Sequence, residues 1–307
     1  MTSRGSTEAI ANGSLDTMRF GPVGNPKTIT ADEIAAMIDR DWMPALQFRE
    51  VDYDRTDLER INTLCQRFGD AMVVRFFRHG HGFDTSVLSA LPDCTNLSID
   101  AMTHISDFAP IAAMPKLRRL HFSVFEFESP DWLRRLDLSR FTKLTIGANE
   151  KRNYDLAPLA DAVQLDELFV QGGVKGIERI AGHQRLRDIG LSGFAKSRGL
   201  AFLNTLPHLQ KLKMILGSRT SIADLDHPGL ADLTIIRVSL LEDLGPMSRF
   251  VGLRRLEIDQ QRRLETIDLT GLNLDVLAIY DCKSLKRIVG VDVSKLSRIK
   301  LPMHLLA

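Results

Sequence analysis

A chain of 307 residues with 44% hydrophobic content is long enough to bury a substantial core. Forty basic against thirty-nine acidic residues leave a formal charge of +1, which excludes a global field drawing the chain to nucleic acid or an anionic membrane. Cys65, Cys94 and Cys282 are too few and too scattered for a disulfide framework, and no stretch approaches the roughly 20 apolar residues of a membrane span.

In chain order, residues 1–29 place isolated apolar residues among Gly, Ser and Thr without a period, and Glu8 and Asp16 interrupt any signal-peptide core. This reads as a flexible tail on a cytoplasmic protein. Thr30, followed three residues later by Glu33, is a capping box that predicts a helix from Ala31 to about Arg40. Thr56 and Glu59 form a second box, opening a helix to about Phe68 whose buried stripe is Leu58, Ile61, Leu64 and Cys65. Weak alternation between the two predicts a strand over Ala45 to Tyr53. Because the array beginning at residue 71 would otherwise show its apolar end to water, residues 30–70 are assigned as a helical N-terminal cap.

Over residues 71–307 an L-x-x-L-x-L skeleton recurs. It is cleanest at Leu253/Leu256/Ile258 and Leu274/Leu277/Ile279, and eleven apolar triplets run from Ala71/Val74/Phe76 to Leu296/Ile299/Leu301 at steps of 21 to 24 residues. The x-L-x-L part alternates with period two, so each repeat supplies a strand with one buried face, and the spacing stacks about eleven strands in parallel. Repeats this short leave room on the return path for 3-10 turns or short helices. Three return segments pair an aspartate able to cap a turn with a proline where no amide donor is needed: Asp107/Pro110, Asp155/Pro158 and Asp243/Pro246.

The pattern resembles the leucine-rich repeat signature L-x-x-L-x-L-x-x-N/C-x-L, and the Asp–Pro segments look like the bacterial internalin-type short repeat. The resemblance implies an α/β repeat solenoid, a horseshoe with its parallel sheet on the concave face and 3-10 turns or short helices on the convex face. It also implies protein binding through the concave face. The sequence departs from the signature at the N/C position, where Met102, Phe125, Gly173, Phe194, Gly217 and Val238 stand. The polar ladder of the turns is therefore expected to be mostly missing, with irregular early repeats.

For chemistry, His79 and His81 with Asp84 are the nearest approach to a metal site, and no recognisable third and fourth ligands follow them. A metal-dependent enzyme built on that loop is the reading from a different class. A G-x-S-x-G elbow, a Cys/His signature and P-loop spacing are all lacking. No catalytic residue, metal or cofactor is expected, and Cys94 and Cys282, at repeat-core positions, read as structural.

The residues between the leucines point away from the core. The candidate partner-binding residues on that face are Arg119, Lys143, Glu167, Phe169, Asp188, Lys213, Ile215, Ile236, Arg255, Glu257 and Tyr280. Apolar anchors at Phe169, Ile215, Ile236 and Tyr280 among charges of both signs suit a protein surface, whereas a phosphate backbone would want one sign. The expected function is a non-enzymatic protein-binding module, monomeric apart from its partner. Its concrete form is a neutralising partner of a toxin or effector, of the immunity or inhibitor type, and a scaffold or sensor domain is the alternative.

Overall fold

The computed structural model describes residues 19–23, 25–49, 53–80, 82–149, 153–172, 175–194, 199–302 and 305. Most of the predicted tail, residues 1–18, lies outside the described residues, as does His81. The chain divides into two compact units, Met1–Leu165 with Val174–Ile177 and Asp166–Gly173 with Glu178–Ala307.

The first unit runs β1 (Arg19–Pro22), α1 (Ala31–Ile38), β2 (Trp42–Phe48), α2 (Arg55–Phe68), β3 (Val73–Phe77), β4 (Asn96–Met102), the one-turn α3 (Ala109–Ala112), β5 (Arg119–Val124) and β6 (Lys143–Ile146). Its strands are parallel neighbours in chain order. The box at α1 forms: Glu33 N donates to Thr30 Oγ1 at 3.2 Å, and Thr30 N donates back to the Glu33 carboxylate at 2.8 Å.

Three expectations shift here. The helix α2 is capped by Asp54 rather than Thr56: Asp57 N donates to Asp54 Oδ1 at 2.9 Å and Asp54 N to Asp57 Oδ2 at 3.1 Å. An aspartate two residues earlier extends the helix while capping at least as well as threonine, and Glu59 pairs with Arg55 at 2.8 Å instead. The strand expected over Ala45 to Tyr53 is β2, set earlier by its register with β3 from Ala45↔Val73 to Phe48↔Phe76. Finally, the tail assigned to residues 1–29 already contains β1, paired with β2 through backbone groups over four residues, too few to display a side-chain period.

The second unit contains β7 (Glu167–Gln171), β8 (Asp188–Ser192), β9 (Lys211–Ile215), β10 (Asp232–Ile236), β11 (Arg255–Asp259), β12 (Thr266–Asp268), β13 (Val276–Tyr280), β14 (Arg287–Val289) and β15 (Arg298–Lys300). The order is β7-β8-β9-β10-β11-β13-β15, all parallel, with β12 and β14 pairing separately. The strands β12 and β14, three residues each, are too short to display a period and were not expected.

Two backbone ladders explain how a 21-to-24-residue step is held. The residue before each strand accepts two amides from the next repeat: Arg187 and Asp188 donate to Asp166 O, Gln210 and Lys211 to Arg187 O, and Ala231 and Asp232 to Gln210 O. The series continues with Arg254 and Arg255 to Ala231 O, Asp275 and Val276 to Arg254 O, and Ser297 and Arg298 to Asp275 O. At the other end of each strand a residue in the left-handed region turns the chain out of the sheet: Gly172, Gly193, Leu216, Arg237, Gln260 and Asp281. The first five donate their N–H to the next strand's last carbonyl at 2.8 to 3.0 Å.

Between strands lie short 3-10 turns such as Thr85–Ala90, Ala157–Asp161, Ala201–Thr205 and Met247–Arg249. Asp107, Asp155 and Asp243 cap their segments through side-chain oxygens that accept from Ala109 N, Ala157 N and Gly245 N at 3.1, 3.1 and 2.7 Å. With strands at all eleven expected positions, this is leucine-rich repeat architecture. The repeat leucines are sealed inside; Leu212, Leu233, Leu256 and Leu277, in register with one another, are at most 1% exposed.

At the N/C position the turn is filled by apolar bulk at Met102, Phe194 and Val238, all buried. Polar rungs survive at Asn149, which donates to Phe127 O at 2.5 Å, and at Gln261, which donates to Asp259 O at 2.7 Å. A register shift between Ile99 and Met102 marks the irregular early repeat, with Ala101 at φ 52°. Among the described residues no helix is long and apolar enough to cross a membrane.

Candidate functional site

The outward face of the second unit is a mosaic of charge. Counting down its columns from β7 to β13, five carboxylates (Glu167, Asp188, Asp232, Glu257, Asp259) stand against three cations (Lys211, Lys213, Arg255), a net of −2 that Arg298 and Lys300 of β15 bring to zero. Strand register fixes who meets whom: Asp188, Lys211, Asp232 and Arg255 form one column, and Gly190, Lys213, Thr234 and Glu257 the next. Arg255 is shared, its Nε 3.5 Å from Asp232 Oδ2 and its Nη2 2.5 Å from Glu257 Oε2.

These charges are only partly solvated, and their proton affinities show it. Burial pushes the Lys213 ammonium below its ordinary range despite the pull of Glu257, Asp188 and Asp232. Burial likewise raises Asp232, against Arg255 and Lys211, which favour its ionised form. Asp259 is raised by burial and then by Asp281 and Glu257, with Arg237 opposing. Desolvation outweighing attraction at three neighbouring groups means that the sheet holds charge at a cost to its own stability.

The apolar anchors expected on this face are corrected. Phe169, Ile215 and Ile236 are 5%, 1% and 8% exposed, so they are covered rather than presented. Period two tells which side of the sheet a residue takes, while cover depends on neighbours one strand spacing, about 4.8 Å, away. Phe169 lies over Gly190, where an added Cβ would stand 2.2 Å from the ring's Cδ2. Tyr280 remains half-exposed, beside Asp259 in register. Asp188, Lys213, Arg255 and Glu257 are brought together as expected, and they gather Lys211, Asp232 and Asp259. Those three stand in the same outward columns, which was the available signal.

Arg119 and Lys143 belong to the first unit, half-buried and in register with each other. Beside them Arg75 bonds Gln47 Oε1 at 3.0 Å and pairs with Asp100, whose other oxygen lies 3.7 Å from His121 Nε2. Burial lowers the His121 proton affinity, Asp100 opposing and Arg75 and Lys143 reinforcing. Within this network Arg75 and Asp100 match each other in charge.

Elsewhere, His79 is buried, with its Nε2 3.3 Å from the Tyr53 hydroxyl and its ring edge-on to Phe83. Among the described residues no group of three His, Cys, Asp or Glu side chains is arranged to hold a metal ion. The thiols of Cys94 and Cys282 are poor nucleophiles: burial pushes Cys282 up to about 11, and the Cys65 thiol together with burial raises Cys94. A groove of about 680 Å³ on the second unit is lined by paired charges such as Arg263 and Glu242, 2.9 Å apart, and its Ser284 hydroxyl donates to Arg262 O.

No protein-family model matches the sequence, and no curated protein matches it. Twenty-four solved chains match in structure. One is from the Toll–Spatzle complex of Drosophila, at 14% identity and TM-score 0.48, covering 84% of this chain and 38% of that one. Another is from a TLR13–ssRNA13 complex, at 12% identity and TM-score 0.41, covering 89% of this chain and 43% of that one. A third is a leucine-rich repeat protein of Leptospira interrogans, at 11% identity and TM-score 0.34, with coverages of 86% and 81%. The chain thus spans less than half the length of the first two.

Proposed function

We propose that this chain is a non-enzymatic protein-binding module whose working surface is the outward face of β7 to β13, and that its partner presents basic side chains there. The observation that carries the reading is Asp259. Its carboxyl is raised by burial and by two like charges, Asp281 and Glu257, an arrangement unfavourable to the isolated chain. An incoming ammonium or guanidinium would remove that repulsion, and Tyr280 alongside offers a partly exposed ring. Because the charges are clustered and half-buried, their contribution falls on partner specificity and association rate more than on raw affinity. A neutralising role toward a toxin or effector is the concrete form this binding takes in our reading.

The test is capture from native cells with wild-type chain and two variants, bound proteins being quantified by mass spectrometry. Glu257→Lys with Asp259→Lys should remove at least ten-fold of a specific partner, while Glu242→Lys, in the return-side groove, should leave it bound. Capture unchanged by the double reversal, in a variant whose thermal melt shows it folded, would sink the assignment of this face.

A further inference from the structure

The three cysteines divide two against one. Cys282 stands among backbone groups, its sulfur 3.2 Å from Tyr280 O, as the small apolar side chain that a buried cysteine usually is. Cys65 and Cys94 are buried as well, but they meet each other: their thiols share a hydrogen bond between α2 and the loop that leads into β4.

The residues around the pair build this meeting. Asn62, Cys65 and Gln66 are three and four residues apart on α2 and so lie on one face. Asp93, the neighbour of Cys94, is gripped by the outer two. Asn62 Nδ2 and Gln66 Nε2 donate to Asp93 Oδ2 at 2.8 and 2.6 Å, and Asp93 N donates to Asn62 Oδ1 at 2.9 Å. Cys94 N donates to Leu91 O at 3.1 Å, closing the turn that presents the thiol. Helix and loop are thus held together independently of sulfur, and rotation about χ1 of each cysteine carries the thiols from contact toward bonding distance.

We propose that Cys65 and Cys94 form an oxidisable dithiol, a modification site at which hydrogen peroxide closes a disulfide that fastens α2 to the loop before β4. The oxidant must be small because both sulfurs are covered. The Cys65 thiolate attacks one peroxide oxygen, the O–O bond breaks, and the departing hydroxide takes up the Cys65 proton as water, leaving a sulfenic acid. Cys94 then attacks the Cys65 sulfur; the S–O bond breaks, the S–S bond forms, and the hydroxyl leaves with the Cys94 proton as a second water. The two sulfurs give up two electrons, which reduce the peroxide. The first step assists the second. Cys94 is held protonated first by Cys65 and then by burial, with the Asn96 backbone opposing, and oxidation of the Cys65 sulfur withdraws the larger of the two restraints.

Intact mass and thiol alkylation of the full chain test this, with peroxide added to the folded protein before urea and iodoacetamide. The wild-type chain should lose about 2 Da and take up one alkyl group instead of three, and a peptide bridged between Cys65 and Cys94 should separate in dithiothreitol. C65S should keep both remaining thiols, and C94S should accumulate a sulfenic acid at Cys65 that dimedone traps. Since the bridge closes a loop of about 30 residues, the oxidised chain should melt at least about 5 °C higher than the reduced one. Three alkyl groups after peroxide, or oxygen added to cysteine without a bridged peptide, overturns the proposal. So does a bridge that forms only when peroxide is added in urea, or an oxidised chain that melts no higher than the reduced one, because either would show that the folded chain does not place the two sulfurs for bonding.

Discussion

Gly190→Ala should change sign with its background. In β8 the added Cβ would meet Phe169 Cδ2 at 2.2 Å, Cε2 at 2.8 Å and Cγ at 3.3 Å, so the base of the ring is involved and not only its tip. Phe169 can make room only by lifting into water a ring that is now 5% exposed. Overpacking of this kind costs ~1–3 kcal/mol, against which alanine in place of glycine returns ~0.5–1 kcal/mol of unfolded-chain entropy. The net expectation is destabilisation by about 1–2 kcal/mol in the wild-type chain. In a Phe169→Ala chain the clash is gone and only the entropy gain remains, so the same substitution should stabilise by about 0.5–1 kcal/mol. The coupling implied, about 2 kcal/mol, lies within what double-mutant cycles resolve for residues in contact. Urea unfolding of the four chains, with m held common, measures it. If Gly190→Ala has the same sign in both backgrounds, the ring does not confine that site and the account of why Phe169 is covered fails.

Leu216, at φ 60° and 41% exposed, sits where a left-handed residue ends a strand. Leu216→Gly removes a strain of ~1–2 kcal/mol and loses about half that in chain entropy, so the urea midpoint should rise; a fall would mean the side chain contributes packing that its exposure does not suggest. The aspartates should give opposite pH signatures. The Ala157 amide first, then the Arg134 guanidinium and the Lys175 charge, hold Asp155 below the usual carboxylate range, so its contribution is complete above the unfolded value near 3.9 and is lost as pH falls through the folded value. Asp155→Ala should therefore lower the melting temperature at pH 7, by an amount equivalent to about 1 kcal/mol, and have little effect near pH 2. Asp259 is raised, so its ionised form opposes folding in full above the folded value; Asp259→Asn should stabilise at pH 7, with the gain shrinking as pH falls below that value and gone below the unfolded value near 3.9. Differences independent of pH at either position would contradict the assigned causes.

The strands were legible because Leu274, Leu277 and Ile279 and their counterparts repeat one local instruction, and repetition averages out weak positions such as Ala71 and Cys94. The segment Arg19–Pro22 was not legible, since β1 is held by backbone pairing to β2 and its four residues carry no alternation. The start of α2 was misplaced because Thr56/Glu59 and Asp54/Asp57 compete for the same turn, and the stronger cap won. The burial of Ile215 and the raised carboxyl of Asp259 depend on residues about one repeat away in sequence and one strand away in space. A single-strand pattern contains neither distance.

What separates architecture from function in a repeat is whether a costly feature recurs. Left-handed non-glycine residues are individually unfavourable, yet Arg78, Ala101, Leu216, Arg237, Gln260 and Asp281 all adopt φ between 46° and 60°, mostly at the same rung position. Such strain, met at strand ends in both units, belongs to turning the chain out of the sheet. The raised carboxyls are different. Among the described carboxyls only Asp259 has burial and two like charges raising it, with Arg237 and the Gln260 amide opposing, and the strand before it offers Ile236 at the same register position, with no charge at all. An array that needs each rung to resemble the last has no structural use for one rung that repels itself.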